Sequence, residues 1–142
     1  MTRMGKIFVV IMLLIVIAAI FLWPTLRMAL AGSAHYSEQN ISEYNFYTPQ
    51  LLKDMPRISP HYDFDFNNVS GPEAKIASIT FYGVNDINPV NTWLTSIGYT
   101  RQSSCDVVAD CWRSASHKDV ITVIKSDTLN EIKVQVYSSP WQ

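Results

Sequence analysis

The chain has 142 residues, 11 Lys and Arg against 12 Asp and Glu, a formal charge of −1 and 2 cysteines. That length holds one small domain, and the charge balance excludes the clustered basic surface that nucleic-acid binding needs. The balance is uneven: Arg3, Lys6 and Arg27 are three of the eleven basic residues, so eight basic residues face all twelve acidic ones beyond them, a balance of −4.

Residues 1–6 form a short N-terminus made positive by Arg3 and Lys6. From Ile7 to Trp23 there is no charged or strongly polar residue. As a helix rising ~1.5 Å per residue, the run 7–23 spans about 25 Å, and extension through Leu26 approaches the ~30 Å hydrocarbon layer. Residues 7–26 are therefore read as a transmembrane anchor that meets the lipid bilayer through Ile7 to Trp23. The positive-inside rule places the N-terminus in the cytoplasm and the C-terminal part in the periplasm, as a single-pass protein of an inner membrane. The alternative is a signal sequence cleaved near Ala31, where Ala29-Leu30-Ala31 precedes Gly32, leaving a secreted or periplasmic protein. The apolar run is longer than the usual ~7–15-residue core of a signal peptide, which favours the retained anchor.

Residues 27–60 read as a stalk. Gly32, Ser33, Ser37, Gln39, Asn40 and Ser42 follow neither the helical nor the strand period, which predicts a loosely ordered tether. Thr48-Pro49 resembles a helix start, so a short helix is expected over 50–55, stopped by Pro56 and Pro60.

The folded domain is expected over 61–142. In Tyr62-Asp63-Phe64-Asp65-Phe66 aromatic and acidic residues alternate, putting the rings on one face of a strand and both carboxylates on the other. Residues 67–72 read as a loop and 75–84 as a second strand. Asn88 as cap, Pro89 at the first position and the stripe Val90, Trp93, Leu94, Ile97 predict a helix ended by Gly98. Further strands are predicted at 99–104, 112–116, 120–125 and 131–137, the last with Ile132, Val134 and Val136 alternating against polar neighbours. The fold class is α+β: a five- or six-stranded, mostly antiparallel sheet with one packed helix, the 84–99 crossover leaving room for one parallel pair.

Cys105 and Cys111 flank a loop containing Asp106 and Asp110, and in an oxidising compartment they predict a disulfide staple. With His117 they would give only three of the four ligands a structural zinc wants. Asp63-x-Asp65-x-Asn67 opens like an EF-hand, but Asn68 and Ala74 stand where glycine and glutamate are needed. His117-Lys118-Asp119 reads as a hairpin turn, since adjacent strand residues point to opposite faces and no nucleophile elbow accompanies them. The sequence thus predicts no catalytic residue, cofactor or metal site. Candidate partner-binding residues are the carboxylates Asp63 and Asp65 and the aromatic residues Trp112, Tyr137 and Trp141, large amphipathic side chains of the kind that anchor interfaces.

A basic leader ending at Gly5, an apolar helix from Lys6 onward and a sheet domain with a late cysteine pair is similar in outline to type IV pilins and their secretion-system relatives. Val10 stands where that family usually carries glutamate and Lys6 where it carries phenylalanine, so the resemblance is one of architecture. It implies an accessory or structural subunit of a cell-envelope complex. The residues themselves point first to a membrane-anchored periplasmic binding protein that meets a protein partner, possibly basic, such as an immunity protein neutralising an imported toxin. An enzyme is the reading with least support.

Overall fold

A computed structural model describes residues 1–105 and 107–140. The chain divides into two compact units, Met1–Ala31 and Gly32–Gln142.

The first unit is one helix, α1 (Arg3–Leu30), with no buried residue. Its N-terminus is capped by the Thr2 hydroxyl, which accepts from the Gly5 N–H at 3.2 Å. It is long and apolar enough to cross a membrane, and Pro24 lies inside it, so the helix runs on past the expected end at 26. A single N-terminal helix of this kind is compatible with a single-pass span or with a signal sequence.

The second unit is a seven-stranded sheet with three helices. Its strands are β1 (Ser33–Tyr36), β2 (Tyr62–Val69), β3 (Ala74–Tyr82), β4 (Thr100–Arg101), β5 (Asp110–Arg113), β6 (Val120–Ser126) and β7 (Glu131–Ser138). The spatial order is β1-β2-β3-β7-β6-β5-β4, and every pair is antiparallel. The α+β class is as expected, but the sheet has seven strands instead of five or six, and among the described residues no pair is parallel. The connection from β3 leads to β4 at the far edge of the sheet, and β7 takes the place beside β3.

The additional strand comes from the segment read as a stalk. β1 pairs with β2, and the Gly32 carbonyl accepts from the Asn68 N–H at 2.8 Å. Helices α2 (Ile41–Tyr47) and α3 (Gln50–Asp54) follow. The sheet unit therefore begins at Gly32 and not at 61, and only Ala31 and Gly32 separate α1 from β1. β2 also runs on to Val69, into the first half of the expected loop, and the turn to β3 places Glu73 at φ 53.

Helix α4 (Asn88–Ser96) starts one step differently from the expectation: Asn88 is its first helical residue, and the Asp86 carboxylate accepts from the Asn88 N–H at 3.0 Å. Its end is as read. Gly98 sits at φ 94, the Tyr99 N–H bonds to the Leu94 carbonyl at 3.0 Å and the Gly98 N–H to that of Thr95 at 3.2 Å, the paired bonds of a Schellman ending. Val90 and Leu94 are buried as the stripe requires, while Ile97 is exposed.

Residues opposite one another in antiparallel pairs share a face. One face therefore carries Phe64, Ile79, Val134 and Val123 in one row, and Phe66, Ala77, Val136, Ile121 and Trp112 in the next. All nine are buried. Tyr47 of α2 stacks on Phe66 at 4.6 Å, Tyr44 meets Phe64 edge-on at 5.2 Å, and the Arg57 guanidinium lies 5.1 Å from the Tyr62 ring centroid. Burial of these large side chains stabilises the fold by roughly 1.5–3 kcal/mol each.

Candidate functional site

The same register places His35, Asp63, Asp65, Ser78, Thr80, Tyr82, Lys133, Gln135 and Tyr137 on the opposite face. Small hydroxyl residues occupy its centre: Ser78 and Thr80 are buried. Around them the longer polar side chains remain partly or well exposed, so this face is open to solvent.

At the β1–β2 end the face carries a polar cluster. His35 Nδ1 lies 2.7 Å from Asp65 Oδ1, and His35 Nε2 lies 3.4 Å from Asp63 Oδ2. The Tyr82 hydroxyl donates to the Asp63 carboxylate, with both oxygens at 3.0 Å. The hydrogen bond to Asp65 raises the His35 pKa above 6.5, and the charges of Asp65 and Asp63 add to it, against burial and the charge of Lys133. Burial first, and then the Asp63 carboxylate, push the Tyr82 hydroxyl up to about 12. Tyr82 therefore remains a donor at neutral pH.

At the other end lies a groove of about 650 Å³, lined by Ile76, Gln102, Arg113, Gln135, Tyr137 and the cysteine pair. Cys105 and Cys111 are joined as a disulfide with Cα atoms 5.7 Å apart. The staple expected from the sequence is present, and it borders this groove. Arg101 and Asp110 form an ion pair at 2.5 Å on the strands beside it.

No protein-family model, curated protein or solved structure matches the chain. Its own geometry must then carry the functional reading.

Three of the sequence-stated candidates, Asp63, Asp65 and Tyr137, lie on the open face. Trp112 does not. It pairs with Ile121 on the core face and is 4% exposed, because β5 presents Cys111 and not Trp112 to the open side. Trp112 is therefore a core residue, while Trp141 lies outside the described residues. Asp63, Asp65 and Asn67 stand along one extended strand, so they cannot wrap an ion as a calcium loop does. His117 stacks on Tyr99 at 6.2 Å and meets the Ser116 hydroxyl at 3.0 Å, apart from the His35 cluster. The sequence reading missed His35, since nothing in Ser33-Ala34-His35-Tyr36 marks a strand that pairs thirty residues away. Tyr82 falls inside the strand expected over 75–84, but its bond to Asp63 was not legible there.

Proposed function

We propose that the chain is a membrane-anchored, exported binding protein whose open sheet face receives a protein partner bearing basic side chains. The observation that carries this reading is the contrast between the two faces. One is closed by buried apolar and aromatic residues, and the other presents carboxylates, an imidazole, amides and tyrosine hydroxyls to solvent. Seven strands ~4.8 Å apart, from two to nine residues long, give a face of roughly 700 Å², close to the ~800 Å² each partner contributes to a standard interface. Asp63 and Asp65 are fixed there by Tyr82 and His35, so they present charge with little left to order on binding. The surplus of acidic residues beyond the helix would speed encounter with a basic partner in a salt-dependent way.

The disulfide suits an oxidising compartment, and α1 suits a leash that holds the domain at the bilayer. An immunity protein that intercepts an imported toxin at the inner membrane is the concrete form of this reading. Pull-down with the full chain from its native membrane, repeated with Asp63→Lys plus Asp65→Lys, tests it. A single soluble protein recovered by the unaltered chain and lost by the charge-reversed one supports the reading. A partner held equally by both chains would overturn the assignment of the face, and recovery of a multi-subunit assembly would favour an accessory subunit of an envelope complex. Intact-mass measurement of the mature protein tests the leash: a chain starting at Gly32 would make α1 a cleaved signal.

A further inference from the structure

We propose that His35 and Asp63 form a binding site for a zinc-type divalent cation on the open sheet face, with Asp65 holding the imidazole in place. A neutral imidazole has one N–H and one lone pair. The closer contact, 2.7 Å from Nδ1 to Asp65 Oδ1, takes the N–H. In the neutral ring Nε2 then presents its lone pair to Asp63 Oδ2 at 3.4 Å, a gap that a proton fills in the imidazolium and that a divalent cation can fill in its place.

The separation fits a metal. Zinc bonds of about 2.0–2.1 Å to nitrogen and 2.0–2.2 Å to a carboxylate oxygen, opened to the tetrahedral angle, put the two ligand atoms about 3.4 Å apart. The far nitrogen bonded to a carboxylate is the usual support of a metal-bound histidine. One ligand atom from each of His35, Asp63 and Asp65 lies within 4.8 Å of the other two. The Tyr82 hydroxyl fixes Asp63 from the side.

The nitrogen–oxygen donor set favours zinc and its neighbours over calcium or magnesium, which prefer oxygen alone. His35 is 63% exposed, so an ion reaches it from solvent. Lys133, two strands away on the same row as Asp63, is the nearby cation that opposes loading. Two ligands from this chain leave coordination positions for water or for a donor from a docked protein, but the site itself does not depend on such a partner.

The test is titration of the full chain in detergent micelles with zinc chloride, followed by calorimetry and by imidazole nitrogen chemical shifts. The expected result is one zinc ion per chain, with the His35 Nε2 signal shifted and Nδ1 still protonated. His35→Ala and Asp63→Asn should each weaken binding at least tenfold, Asp65→Asn by roughly tenfold, and His61→Ala and His117→Ala should leave it unchanged. Affinity should fall as pH falls, because protons compete for the ligands. No binding, or binding that persists undiminished in His35→Ala, would overturn the site. Circular dichroism of each variant separates loss of ligand from loss of fold.

Discussion

Tyr36 and Thr48 meet in the interior, their hydroxyl oxygens 2.7 Å apart, with exposures of only 4% and 6%. The bond ties the edge strand β1 to the link between α2 and α3, and the Tyr36 ring stacks on Phe64 at 5.6 Å. The segment that follows α1, from Ser33 to Asp54, is thus part of the folded unit. Tyr36→Phe should cost about 1 kcal/mol by stranding the Thr48 hydroxyl, while Tyr36→Ala should cost about 3–5 kcal/mol through the cavity it leaves. Urea denaturation of the full chain in detergent would measure both. A tether without structural role would show no change in either variant.

The same hydroxyl makes the domain sensitive to alkali. Burial raises the Tyr36 pKa from 10.0 to about 12, against the opposing effect of its bond to Thr48. The unfolded chain therefore releases this proton earlier than the folded one. The contribution to stability is complete below pH 10 and is lost as pH climbs through 12, on the order of 2 kcal/mol. Tyr36→Phe should flatten stability across that window relative to the unaltered chain. Equal slopes in denaturant midpoint between pH 9 and 12 would contradict the assignment.

These two residues also show where sequence reasoning loses its grip. β2, β3, β6 and β7 were legible because each runs for seven residues or more and is rich in β-branched or aromatic side chains. α4 was legible through its spacing and its glycine ending. β1, with four residues, and β4, with two, are too short to display a period. β1 is held by partners about thirty residues away. The aromatic residues Tyr36, Tyr44 and Tyr47 were the available signal, since a solvated stalk has no use for three buried or half-buried rings. The site followed the same rule: the alternation placed Asp63 and Asp65 on one face, but the imidazole opposite them came from the strand that could not be read.

Trp112 offers a check on the distinction between core and interface. Its Nε1 is buried without a hydrogen-bond partner among the described residues, so its value lies in packing against the Ile121 row. Trp112→Phe should cost within about 1–2 kcal/mol, because the lost volume is partly offset by removing an unsatisfied donor. Trp112→Ala should cost about 3–5 kcal/mol. Partner binding per folded molecule should be unchanged in Trp112→Phe, whereas an interface tryptophan would lose affinity without losing stability.

The disulfide should act locally. It closes a short loop, with the two cysteines six positions apart, and loop-closure entropy for such a ring gives about 2 kcal/mol. Cys111 also sits in the ladder, where its carbonyl accepts from the Gln102 N–H at 2.8 Å and Arg101 pairs with Asp110. These contacts remain when the sulfur link is removed. Replacing both cysteines by serine should therefore lower global stability by about 2 kcal/mol and raise amide hydrogen exchange most in residues 102–111. Exchange in β3 and β7, the centre of the sheet, should rise only by the amount that the global loss accounts for. Uniform acceleration beyond that amount would mean that the loop organises the whole sheet, while an unchanged 102–111 segment would mean that the ladder alone holds it over the groove.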